Sequence, residues 1–216
     1  MTKFFHKGFL ICAMLMVSAT YTGAYFSDAV SISGNSFSTG VWNPGKATIS
    51  EVFYNAVGTD TGKEWIEIKN TGGYALDMTG YVLHFDSLVS TYDYIFPAFS
   101  LASGSRVVVH PRTTGTNSAT DLYWPDTNST NMGNTYGSIG LFKSLPKDST
   151  TIVDYVEYGS AGNDGEVKAS TAVPPIWTAG MFVPIIPTEG HSMELIGADN
   201  NLATDWQDQA VPTPGA

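Results

Sequence analysis

Two runs of alternating character stand out between Ile49 and Phe85. In Glu64-Trp65-Ile66-Glu67-Ile68-Lys69 and Gly80-Tyr81-Val82-Leu83-His84-Phe85, apolar and polar residues trade places at most steps. The segment between them, Asn70-Thr71-Gly72-Gly73, is rich in turn formers. A period of two describes a strand with one face in a core and the other in water. On this reading Glu64, Glu67 and Asp77 face outward, while Trp65, Ile66, Ile68, Leu76 and Leu83 supply apolar bulk. Further patterning predicts strands near 47–54, 63–69, 80–86, 91–96, 105–110, 137–143, 151–158 and 191–196. Beyond the N-terminus no helical stripe is sustained. The expectation is an all-β chain folded as a sandwich.

Two stretches interrupt that rhythm. Residues 111–136 read as a long polar loop anchored by Leu122-Tyr123-Trp124, and loops of this length are uncommon unless functional or mobile. Residues 172–187 are apolar yet carry prolines at 174, 175, 184 and 187, which rules out a central strand or a helix. They form either a loop draped over the sandwich or an exposed patch for a partner, with Ile176, Trp177, Met181 and Phe182 as its contact residues.

The N-terminus reads as an export signal with its own short helix. Lys3 and Lys7 precede the apolar run Phe9–Val17, and Thr22 and Ala24 suit positions −3 and −1 of a cleavage site. An uncleaved anchor would need a longer apolar run to cross roughly 30 Å of hydrocarbon. The expected organisation is therefore 1–24 signal peptide, 25–45 linker or edge strand, and 46–216 sandwich domain. Residues 26–41 have an alternative use as a donor strand added to a neighbour's sheet. Cys12, the single cysteine, lies inside the signal, so the mature chain has no disulfide and no cysteine metal site. Losing Lys3 and Lys7 leaves eight basic residues against 20 acidic ones, a net charge of −12. Such a charge argues against nucleic acid as a partner, and against an anionic membrane surface. Membrane contact is expected only during export.

The motifs in order carry a resemblance. Ile49-Ser-Glu-Val52, Glu64-Trp-Ile-Glu-Ile-Lys-Asn70 and Ala75-Leu-Asp-Met-Thr-Gly-Tyr-Val-Leu83 resemble the opening of a lamin tail domain. Ser105–Val109, Gly137–Phe142, Ile152–Gly159, Gly190–Ile196, Asp205-Trp206 and Thr213-Pro214-Gly215 are similar to its later strands and to the terminus of its microbial secreted members. The resemblance spans roughly 46–216 and implies an immunoglobulin-like β-sandwich, found at the end of nuclear lamins and in exported microbial proteins. Phe26-Ser27-Asp28 and Asn35-x-Phe37-x-x-Gly40 resemble the SipW-type signal region of camelysin-like and matrix-fibre proteins, which implies secretion to a cell surface or matrix.

Chemistry is sparsely signalled. His84, His110 and His191 lie in separate strand segments with no metal spacing, and neither a Gly-x-Ser-x-Gly elbow nor a His-Glu-x-x-His helix is present. Glu64 and Glu67 fall on opposite strand faces, whereas Glu51 and Glu64 could approach across strands. No catalytic residue and no cofactor is assigned. Calcium is the one ion the loops admit, through Asp121 and Asp126 in one loop and Asp199 and Asp205 in another, without EF-hand spacing. Trp65, Ile66, Ile68, Gly80 and Trp206 are expected to be structural. The reading is a secreted, non-catalytic domain in cell-surface adhesion, protein binding or envelope and matrix assembly, its partner a protein or matrix component or a second copy. The alternatives are a fibre or biofilm-matrix subunit polymerising by strand addition, and an accessory module of a secreted hydrolase.

Overall fold

A computed structural model of the chain describes residues 44–86, 91–125, 131–163, 165–184 and 187–216. The expected signal helix and the 25–43 part of the linker or edge strand lie outside these, as does Asp126. Twelve strands are formed: β1 (Ala47–Phe53), β2 (Trp65–Asn70), β3 (Leu76–Asp77), β4 (Val82–Asp86), β5 (Thr91–Ile95), β6 (Ser100–Leu101), β7 (Arg106–Pro111), β8 (Asp121–Trp124), β9 (Gly137–Phe142), β10 (Ile152–Tyr158), β11 (Ser192–Leu195) and β12 (Trp206–Gln209). They make a six-stranded sheet ordered β12-β11-β1-β2-β7-β8, a four-stranded sheet ordered β10-β9-β4-β5, and a small β3-β6 ribbon.

The alternation in the sequence sets the register. Ile66 lies opposite Val52 on one side and Val109 on the other, and Ile68 lies opposite Ile49 and Val107. These side chains form one inner face. The other comes from Leu83 opposite Leu141, and from Ile139 between Phe85 and Val156. All belong to a single buried cluster, the arrangement expected of two sheets packed face to face. Tyr54 stacks on Tyr158 within it, ring centroids 4.1 Å apart.

A carboxyl ties the two sheets together. The β1–β2 register shifts between Ile49 and Glu51, and the β9–β10 register shifts between Ile152 and Asp154. Asp154 therefore points inward opposite Leu141. Its Oδ2 accepts the Ile49 N–H across the interface at 2.6 Å, and its Oδ1 accepts the Tyr155 N–H at 2.8 Å. Burial, helped by the nearby Asp199 charge, pushes this carboxyl up to about 8, against the pull of the two amides and Lys46.

The two loop expectations have different outcomes. Within 111–136, Asp121–Trp124 is a strand, parallel to β7, and Leu122 sits in the core. The polar Thr-Ser-Asn punctuation around so short a strand hides it. Residues 172–184 follow a one-turn helix, α1 (Glu166–Ser170), and form the draped loop. Its end closes the outer edge of β10: Val183 N–H donates to Glu157 O at 2.7 Å, and Gly159 N–H donates to Val183 O at 3.1 Å. Gly159 takes φ 77°, and a Cβ there would lie 1.9 Å from the Thr135 carbonyl oxygen. Only glycine fits that turn.

Candidate interaction surface

The outer face of the six-stranded sheet carries a group of charged side chains. Thr48 and Glu51 on β1, Glu67 and Lys69 on β2, Arg106 on β7, and Glu194 on β11 converge there, around a cleft of about 210 Å³ also bordered by Asp199. Strand pairing places Glu51 directly opposite Glu67 on one side and Glu194 on the other. The pair brought together is thus Glu51 and Glu67, not Glu51 and Glu64.

Like charges on facing strands repel, and donors brought from elsewhere offset this. Arg106 Nε lies 3.0 Å from Glu67 Oε1, and Ser50 and Ser192 donate their hydroxyls to Glu67 and Glu51 respectively. The rest comes from the C-terminal segment. Thr213 gives its N–H to Glu51 Oε1 at 3.1 Å and its hydroxyl to Oε2 at 3.0 Å, and Gly215 N–H reaches Glu67 Oε2 at 2.7 Å. Under this strap both glutamates are only 2% exposed. Burial raises the Glu67 carboxyl, opposed by its hydrogen bonds and Arg106. Chemically, the face accepts main-chain amides, here those of the chain's own tail, whose last four residues make a turn closed by Ala216 N–H to Thr213 O at 3.0 Å.

Glu64 corrects the outward placement. It is 2% exposed, its Oε2 takes the Met132 N–H at 3.1 Å, and burial raises it to about 9. Asp77 is exposed as expected. Trp65, Ile66, Ile68 and Trp206 are buried, and Gly80 takes φ 80° in a turn with open space around it.

Among the described residues each histidine meets an aspartate on a neighbouring segment. His84 Nδ1 is 2.7 Å from Asp93 Oδ1, which also receives Lys147 Nζ at 2.6 Å. His110 Nε2 is 2.9 Å from Asp121 Oδ1, and His191 Nδ1 is 2.9 Å from Asp208 Oδ2. The calcium candidates are not gathered. Asp121 serves His110, and Asp199 pairs with Lys46 Nζ at 3.4 Å and accepts the Asn201 N–H. Asp205 accepts the Asn200 and Leu202 N–H groups. Among the described residues no three His, Cys, Asp or Glu side chains group to hold a metal.

The contact residues expected in 172–187 divide. Trp177 is a core residue at 2% exposure, its Nε1 donating to Met181 O at 2.8 Å and its ring edge-on to Tyr155. It fills the space between loop and sheet, so it is unavailable to a partner. Ile176 packs against the core, Phe182 is half-buried, and Met181 is exposed. A buried carboxyl pair was not anticipated: Glu157 and Glu166 lie near each other under this loop, and burial first, then the nearby Glu166, raises Glu157 to about 7. Their separation across β10 and α1 left no sequence signal.

The family model of the Lamin Tail Domain matches residues 42–160. The chain belongs to the lamin tail domain family. The match ends after β10, while β11 and β12 complete the six-stranded sheet beside β1, so the lamin tail sandwich here draws its outer strands from beyond the matched region. Immunoglobulin-like domains of this family are protein-interaction modules. No curated protein matches the chain.

Proposed function

We propose that this chain is a secreted, non-catalytic lamin tail domain that binds protein or matrix components in cell-surface adhesion or envelope assembly, with residues 1–24 removed on export. The observation that carries the reading is the outer sheet face, where Glu51 and Glu67 hold the turn at the C-terminal end through its main-chain amides. That face recognises a peptide turn by its backbone donors, in the place the chain's own tail occupies here. The test is a pull-down of extracellular peptides on the mature chain and on Glu51→Gln/Glu67→Gln. Loss of specific binding in the double variant is expected, and equal binding would sink the assignment of this face. Mass spectrometry of the exported protein checks the leader, with Tyr25 expected first.

A second reading is a matrix fibre built by strand addition. It draws on β5, which ends the four-stranded sheet, and on the alternation in residues 26–41. Light scattering across a roughly hundredfold concentration range separates the two, because mass action makes assembly concentration-dependent. Growth that stops when 26–41 are deleted favours the fibre, whereas a constant monomer favours the binding module.

A further inference from the structure

Six buried side-chain oxygens among the described residues lack a hydrogen-bond partner, and three of them belong to one patch: Asp60 Oδ1, Glu64 Oε1 and Asn134 Oδ1. The patch lies where the β1–β2 connection meets the segment leading into β9. Its members are tied by their other atoms. Asn134 Nδ2 donates to Asp60 Oδ2 at 2.9 Å. Glu64 Oε2 accepts the N–H of Met132, two residues before Asn134, and Glu64 feels the Asp60 charge. Turning the Asn134 amide over would set two acceptors against each other, so its carbonyl oxygen is fixed on the open side.

Three buried oxygens without a donor call for a proton, a water or a cation. A proton on Glu64 can serve one of the remaining oxygens and leaves another bare. A cation that reached all three would serve them together. Glu64 is 2% exposed, so its unpartnered oxygen is costly to bury. Burial raises Glu64 well above its ordinary range, against the pull of Arg112, whose guanidinium donates to Asn131 Oδ1 at 3.1 Å. An incoming cation would displace the Glu64 proton and meet two carboxylates against one guanidinium.

We propose that Asp60, Glu64 and Asn134 form a binding site for a hard divalent cation, calcium in the first place. Two carboxylate oxygens and an amide carbonyl are calcium ligands by type, and its flexible coordination admits waters for the remaining positions. With three side chains and Arg112 nearby, the affinity belongs in the range of extracellular modules, on the order of 10⁻⁴–10⁻³ M. The ion would join the β1–β2 connection to the segment before β9, and so fix one end of the sandwich. This goes beyond the peptide-binding reading and stands apart from it, because the outer sheet face uses none of these residues.

The test is calcium titration of the full chain by calorimetry, with terbium luminescence as a second readout, Trp65 being the neighbour of Glu64 that would sensitise it. One calcium per chain is expected, with a rise in Tm, and loss of both in Asp60→Asn and in Glu64→Gln. Asp60 is half-exposed, so Asp60→Asn tests the site even if Glu64→Gln disturbs folding. Absence of saturable binding, or binding that survives in either folded variant, overturns the proposal.

Discussion

Trp206 and Trp65 are almost equally hidden, at 6% and 7% exposure, yet they fill different volumes. Trp206 belongs to the central cluster between the sheets, whereas Trp65 stands outside it and stacks on Phe53 with centroids 5.6 Å apart. Emptying the first site leaves a cavity with walls that cannot collapse, so Trp206→Ala should cost roughly 3–5 kcal/mol. Trp65→Ala opens a site at the surface that water can enter and should cost nearer 2 kcal/mol. Urea unfolding of both variants checks the order, and equal losses would place Trp65 in the core after all. The glycines divide in the same manner. Gly80→Ala meets only the strain of a positive φ, about 1 kcal/mol. Gly159→Ala adds a collision with the Thr135 carbonyl and should cost ~3 kcal/mol or more, because strand β10 or its neighbour must move. A Gly159→Ala protein melting like Gly80→Ala would show that this turn has room.

The strap formed by the last residues is an element in its own right, although it is neither helix nor strand. It supplies two main-chain amides and a hydroxyl to Glu51 and Glu67. Deleting 211–216 returns two facing carboxylates to each other with fewer donors, and should lower stability by about 2–4 kcal/mol at neutral pH. Glu67→Gln in the deleted chain should recover part of the loss, since it removes the repulsion. If the deletion leaves Tm unchanged, the strap is not held. This element also marks the limit of what the sequence made legible. Alternation located the long strands, because Ile66, Ile68, Val107 and Val109 repeat at a spacing only a sheet uses. It also put Glu67 on the correct side of its strand. It could not say that the outer side is covered, since Gly215 lies 148 residues away, nor that Glu64 is covered by Met132, 68 residues on. Two-residue strands such as β3 and β6 have no period to detect. β8 and β12 are four residues each, too short to stand out against Ser, Asn and Asp. The environments of Asp154 and Glu157, both raised by burial, are set by register and bulges that periodicity does not fix.

For the molecule as a whole these buried carboxyls set the response to pH. Asp154 and Glu157 are raised to about 8 and about 7, and Glu67 is raised as well, in each case mainly by burial. An ordinary unfolded carboxyl titrates near 4. Between about pH 4 and pH 8 the folded chain therefore holds protons that the unfolded chain has released, and stability falls as pH rises through that window. Above it both states are ionised and these contributions are gone. Hydrogen bonds hold Asp121, Asp148 and Asp77 below the usual range, and their contribution runs the other way, being lost as pH drops below about 4. A net charge of −10 at pH 7 adds repulsion on the alkaline side. Tm, measured in chelator so that divalent cations do not intrude, should thus peak on the acid side of neutrality and decline toward pH 8. Asp154→Asn keeps an oxygen for the Ile49 amide and cannot titrate, so it should flatten part of that decline even if it lowers Tm throughout. A Tm that climbs steadily from pH 5 to pH 8 would mean that these carboxyls are ionised in the folded chain and that their amide donors outweigh burial.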